Sequence, residues 1–248
     1  MQPSPPPPAK REALRKLIHV ILALALLVPL SPGYASLAAG VAGDPALSTY
    51  ALLLVATLFA STLRVRRPEL RDVVRRVMRD ARRAALQHLE ASAPLHRVAE
   101  EVERALSKVE EGFFSLIDAV ERDYEKRHGY VAAVCALASA LASYSLFGPQ
   151  ATARGILALA IVDPAASLLT LYLPRGRRLL KHRVHAPLLA ALLFSAVLLT
   201  LGDEPRRAAI LGLAAALVEL LSVEDNLTLP LAVAALHRFL TQAGGAGP

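Results

Sequence analysis

Seven stretches of this chain are apolar enough to lie in a lipid bilayer, and one long stretch between them is not. The apolar stretches run over 14–30, 46–63, 130–147, 151–173, 186–202, 207–222 and 228–240, whereas residues 64–128 hold 15 of the 28 Lys+Arg and 13 of the 21 Asp+Glu. A helix needs roughly 17 to 25 mostly apolar residues to cross about 30 Å of hydrocarbon. Mean hydropathy of +0.43 over 248 residues argues against a water-soluble monomer. The fold class expected is an all-α polytopic membrane bundle of about seven spans, with one charged helical-hairpin insert. Its divisions are a disordered Pro-rich tail at 1–9, two transmembrane helices in 10–63, the hairpin at 64–128, a transmembrane bundle at 129–241 and a flexible tail at 242–248.

Orientation follows from the basic residues. Lys10, Arg11, Arg15 and Lys16 precede the first span, and the loop 31–45 has no Lys or Arg. The positive-inside rule places the N-terminus and the hairpin in the cytoplasm and the 31–45 loop outside. A signal peptide is the competing reading of 10–35, opposed by Arg15, Lys16 and His19 standing inside the apolar segment. Counting alternations puts 174–185 and 223–228 inside, with Arg175, Arg177, Arg178, Lys181 and Arg183 as the rule expects. Arg206 and Arg207 fall outside, against it.

In the insert, Leu70, Val74, Val77, Ala81 and Ala84, then Leu95, Val98, Val102, Ala105, Val109, Phe113, Leu116 and Val120, recur at helical 3-4 spacing. Ser92 and Pro94 mark the break. Residues 64–83 carry nine Arg against three acids and 97–127 six basic against nine acidic groups, so the two arms are expected to pair antiparallel. The Arg-rich arm lacks interleaved aromatics, which argues against nucleic acid; a solvated helical face with no ligand is the plainest reading, with lipid headgroups, a partner protein or a second copy as the contacts it could make.

A lone cysteine, Cys135, excludes an internal disulfide, and no Cys/His cluster has zinc spacing. No GxxxxGK[ST] loop, kinase signature, GxSxG elbow or HExxH is present, which removes the soluble nucleotide-binding folds and common hydrolases. What remains is polar groups inside apolar segments, each costing about 2.5–3.5 kcal/mol on insertion scales. Asp163 in AIVDPAASLL is one, and Asp163-Pro164 is expected to break the helix. A half-helix starting at Pro164 would then aim free amides at a phosphate, beside a carboxylate able to hold a divalent ion; a capped kink is the plainer alternative. VELLSVEDNLTLPL gathers Glu219, Glu224, Asp225 and Asn226, the only Asn in the chain. Carboxylates and an amide are hard oxygen ligands suited to Mg²⁺, with a helix N-cap at Asp225 or Asn226 as the alternative. Arg15, Lys16 and His19, then Arg127 before Gly129, then Arg178 and Lys181 would supply phosphate-neutralising charge on the same face.

RKxxH near the N-terminus, a basic-Gly step at Arg127 and Gly129, Asp163-Pro164-Ala165-Ala166, a GRR stretch and Glu219 with Asp225-Asn226…Pro230-Leu231 resemble the CTP-dependent polyprenol kinases, the dolichol and phytol kinases. The resemblance covers 11–30 and 120–235, and EDNLTLPL is its most specific part. It implies a multi-pass membrane enzyme that moves the γ-phosphate of CTP to the hydroxyl of a long isoprenoid alcohol. Asp163, Asp225 and Asn226 would be catalytic, with Asp163 and Asp225 on Mg²⁺. Arg15, Lys16, His19, Arg127, Gly129, Arg178, Lys181 and Glu219 would bind nucleotide and substrate. Two alternatives stand beside it: cytidylyl transfer to a phospholipid, and a non-catalytic scaffold that uses the hairpin. The scaffold is favoured by Val184-His185, which stand where the family has Glu-Gly.

Overall fold

The computed structural model describes residues 8–38, 40, 43–67, 69, 73, 76–81, 84, 101, 103–109, 112, 127–173, 177–179 and 182–244. Nearly all of them are helical. In chain order the elements are α1 (Pro8–Ala25), a 3-10 turn (Val28–Leu30), α2 (Pro32–Leu37), α3 (Pro45–Arg66), α4 (Val131–Phe147), α5 (Pro149–Tyr172), the strands β1 (Arg178–Leu179) and β2 (His182–Arg183), α6 (His185–Thr200), α7 (Pro205–Leu221) and α8 (Asp225–Gly244). Contacts divide the chain into a unit of residues 1–58 with 130–248 and a unit of 59–129. In the second unit the described residues 76–81 and 103–109 are helical. The expected break at Ser92 and Pro94 and the pairing of the two arms lie outside the described residues.

The first unit is a bundle turned inside out relative to a soluble protein. Its buried residues are largely small, while Leu17, Ile21 and Leu22 of α1, Leu52 and Val55 of α3, and Leu188, Leu192 and Leu193 of α6 are exposed. Hydrocarbon is as apolar as leucine, so helices associate through close backbone approach instead of leucine burial. α5 is central and packs on α1, α4, α6 and α8. Its buried residues Ala151, Gly155, Ala158, Val162 and Ala166 repeat at three and four positions, making one narrow face of small side chains. Above that face Phe194, Leu198, Leu211, Leu229 and Val233 close the main core.

Arg11–Leu30, Pro45–Arg66 and Pro149–Tyr172 are long and apolar enough to cross a membrane. α4 and α6 are apolar but have 17 and 16 residues, about 24 to 26 Å at 1.5 Å per residue. α7 and α8 carry charged residues within their length. Three of the seven expected spans are therefore both long and apolar enough to cross a membrane among the described residues.

In the basic stretch after α5, Leu179 pairs with His182 in a two-residue antiparallel ribbon. Two expectations are corrected. Pro8 and Ala9 begin α1 and do not belong to an irregular tail. Most consequentially, α5 does not break at Asp163-Pro164: Pro164 is buried inside a continuous helix. The ring removes one intrahelical hydrogen bond, and the surrounding small residues let neighbouring helices absorb the distortion. No half-helix N-terminus exists there to bind phosphate.

Asp44 shows how a helix end is tied down outside these spans. Its Oδ1 accepts the Ala46 and Leu47 amides at 2.9 and 3.1 Å, with Pro45 at the first helical position, and its Oδ2 accepts the Tyr144 hydroxyl at 2.6 Å. That hydroxyl, helped by the two amides, holds the Asp44 carboxyl below its ordinary range.

Gly155 sits where α5 meets α8. A Cβ there would overlap the Pro230 carbonyl oxygen and come within 3.1 Å of the Pro230 Cα. Alanine normally gains about 0.5–1 kcal/mol over glycine in a helix. Overlap with backbone outweighs that gain, since overpacking costs about 1–3 kcal/mol. Gly155→Ala is therefore expected to lower the thermal midpoint of the detergent-solubilised protein. An unchanged midpoint would show that α5 and α8 separate at no cost.

Candidate functional site

Lys16 and His19 lie three residues apart on α1, hence on one face, and Ala23 four residues on continues that face into a small cluster with Leu159 and Ala160 of α5. This registers α1 against α5 so that the two polar side chains meet Asp163. Lys16 Nζ donates to Asp163 Oδ1 at 2.6 Å, and His19 Nε2 lies 3.2 Å from Oδ2. The His19 ring also lies 3.3 Å from the Leu159 carbonyl oxygen. Lys16 and Asp163 are both buried. A buried ion pair rarely stabilises a fold relative to apolar packing, so its presence calls for another use.

Glu219, near the end of α7, and Asp225, the first residue of α8, complete the arrangement. One oxygen from each of Asp163, Glu219 and Asp225 lies within 4.8 Å of the other two. Three helices thus bring three carboxylates to one point although 56 residues separate Asp163 from Glu219 in sequence. Oxygens around a single Mg²⁺ at about 2.1 Å stand roughly 3 to 4.2 Å apart, so sub-ångström movements close the set on an ion. All-carboxylate donors suit Mg²⁺ or Mn²⁺ and not zinc or copper.

Glu219 has a support that sequence reading missed. His182 Nε2 lies 2.8 Å from Glu219 Oε1, and His182 Nδ1 lies 3.1 Å from the Thr170 hydroxyl. A carboxylate oxygen only accepts, so Nε2–H donates to Glu219, and the Thr170 hydroxyl partners Nδ1. The β1–β2 ribbon holds His182 in this place, buried at the edge of α5 and α6. In sequence His182 is one basic group among many in RGRRLLKHRVH, and nothing local pairs it with a glutamate 37 positions on.

The remaining expected residues divide. Lys16, His19, Asp163, Glu219 and Asp225 converge. The Asn226 side-chain amide donates to Glu224 Oε1 at 2.8 Å at the start of α8. Glu219, expected to bind nucleotide, stands among the metal-competent oxygens. Arg15 points along its own helix and pairs with Glu12, because an odd neighbour of Lys16 falls about 100° round the helix from it. The Arg178 backbone is in β1, and its side chain and all of Lys181 lie outside the described residues. Arg127 and Gly129 belong to the 59–129 unit, where Arg127 is exposed. Gly129 has φ +79° and is so close to Ser61 that a Cβ would overlap the hydroxyl.

No protein-family model, curated protein or solved structure matches this chain.

The His182 contact makes a direct prediction. Outer partners that hold a ligating carboxylate typically alter metal affinity 10- to 100-fold. His182→Leu is therefore expected to weaken Mn²⁺ binding by about that factor, read by titration of the purified protein, while Thr170→Val has a smaller effect in the same direction. Unchanged affinity in His182→Leu would remove the ring from the site.

Proposed function

We propose that the chain is a multi-pass membrane phosphotransferase that uses a divalent cation to move the γ-phosphate of a nucleoside triphosphate, CTP by the resemblance above, to the hydroxyl of a long isoprenoid alcohol. The observation that carries the reading is the meeting of Asp163, Glu219 and Asp225 from three helices, with Lys16 and His19 against them. A scaffold gains nothing from burying such a cluster, whereas phosphoryl transfer is mostly positioning and charge neutralisation. Their fit to hard oxygen coordination makes Asp163, Glu219 and Asp225 the residues that would hold Mg²⁺, which supplies neutralisation of the phosphate charge when bound. Lys16 contributes an ammonium already at the site, one N–H given to Asp163 and the other two turned to phosphoryl oxygens, and His19 keeps Asp163 oriented from its second oxygen. His182 fixes Glu219. The exposed apolar faces of α1 and α6 let a lipid chain reach this bundle from the bilayer. In this reading the seven apolar segments all span and the carboxylates face the cytoplasm.

The test is incubation of purified protein in bilayers with Mg²⁺, isoprenoid alcohols and CTP or ATP labelled on the γ-phosphate. Labelled lipid phosphate with CDP release is the expected result. Pyrophosphate release with a cytidylylated lipid would assign cytidylyl transfer instead, and neither product at millimolar nucleotide would leave the scaffold.

A further inference from the structure

Arg207 lies on the side where basic residues are not expected, and the proposed activity does not use it. It belongs to a second polar cluster in the same bundle. α6 ends in a Schellman turn: Gly202 has φ +84°, its amide donates to Leu199 O at 3.0 Å, and the Asp203 amide donates to Leu198 O at 3.0 Å. An apolar residue usually follows such a glycine and packs back on the helix. Here that place is taken by Asp203, whose side chain is 4% exposed.

Three basic groups from three helices surround it. Arg154 Nε of α5 donates to Asp203 Oδ2 at 2.7 Å, Arg207 Nη1 of α7 lies 4.0 Å from Oδ1, and His237 Nε2 of α8 lies 3.6 Å from the same oxygen. His237 is 7% exposed, and its Nδ1 is buried with no hydrogen-bond partner in the described structure. Among the described residues the Arg154 guanidinium gives its one hydrogen bond from Nε, leaving both terminal amino groups for another acceptor. The cluster is separate from the carboxylate site. Arg154 precedes Asp163 by nine residues and Asp225 precedes His237 by twelve, about 14 and 18 Å along the helices.

Counted without His237, the cluster carries two positive charges against one negative, and the arginine side chains, 20% and 24% exposed, leave that excess open to an anion. Two guanidinium forks match the oxygens of a phosphate, and a phosphate monoester carries about −1.5 to −2 charge near neutral pH. We propose that Arg154, Arg207 and His237, gathered around Asp203, form a binding site for a phosphate monoester. Asp203 orders the two arginines and lowers the affinity of the site, so the anion is held exchangeably.

The experiment compares phosphatidic acid, phosphatidylcholine and inorganic phosphate as probes of the full-length protein in neutral detergent, by native mass spectrometry and thermal shift. Phosphatidic acid is expected to bind and stabilise, and phosphatidylcholine is not. A charge-assisted hydrogen bond is worth enough that Arg207→Gln should weaken phosphatidic acid binding by about tenfold. Its 4.0 Å pairing with Asp203 contributes little to the fold, so this variant should stay folded. Asp203→Asn should tighten binding, the opposite of what a purely structural ion-pair cluster predicts. Arg206→Gln, an exposed neighbour outside the cluster, serves as the control and should change nothing. Competition by millimolar inorganic phosphate, lost in Arg207→Gln, would keep the site and name a soluble anion as its occupant. Equal binding by wild type and Arg207→Gln, or equal losses in Arg206→Gln and Arg207→Gln, would overturn it.

Discussion

Asp225→Asn is expected to leave the bundle folded and to lower phosphoryl transfer by about 10²- to 10³-fold, the usual cost of removing a group that stabilises developing charge. The substitution changes charge at nearly constant volume. Asp225 is the first residue of α8, where a carboxylate favours the helix dipole by about 0.3–1 kcal/mol, so folding stability should fall by no more than that. An effect on activity far above that small stability change separates a metal-holding carboxylate from a helix-end carboxylate. Mn²⁺ titration is the companion measurement and should show weakened binding in parallel. Asn226→Ala removes the hydrogen bond from its amide to Glu224 and is expected to cost a modest amount of stability. Full turnover by Asp225→Asn would end the assignment of the carboxylate cluster as the catalytic centre.

Lys16→Met is expected to destabilise the metal-free protein more than any other single change at the site. The ammonium 2.6 Å from Asp163 is removed, and a buried carboxylate remains beside two others within 4.8 Å. Breaking a buried pair by removing one partner costs about 3–5 kcal/mol. For a chain of this size each kcal/mol moves the thermal midpoint by roughly 2–4 °C, so a drop on the order of 10 °C is the readout. Divalent ion should reverse most of it, because a cation that binds only the folded state stabilises by mass action. Wild type should gain much less from the same ion, having Lys16 already in place. A large drop that Mg²⁺ at about 1,000 times its dissociation constant leaves untouched would mean the carboxylates do not share an ion.

Charge sets 64–128 apart in the sequence, and contacts set 59–129 apart in the structure. Segment ends also followed local chemistry: Asp44-Pro45 opens α3, Gly148-Pro149 opens α5 and Gly202 closes α6. Pro164 misled because a proline in sequence looks the same whether its helix stands in water or against other helices. In water the missing hydrogen bond ends a helix; buried among Ala160, Val162 and Ala166, it is absorbed. Pro230, inside α8 against Gly155, repeats the lesson.

What the sequence by itself determined is which residues must be accounted for: a chain this apolar cannot carry Lys16, Asp163 and Glu219 in its apolar segments without giving each a partner. Composition and periodicity act through local chemistry, and local chemistry sets helices, ends and the cost of a buried charge. Which partner each group finds is a different matter, decided by the packing of α1, α5, α7 and α8. Lys16 meets Asp163 across 147 positions and His182 meets Glu219 across 37, while Asn226, adjacent to Asp225, turns away to Glu224. Successive residues on a helix point about 100° apart, so neighbours in sequence diverge, and only close-packed small faces bring distant carboxylates to one point.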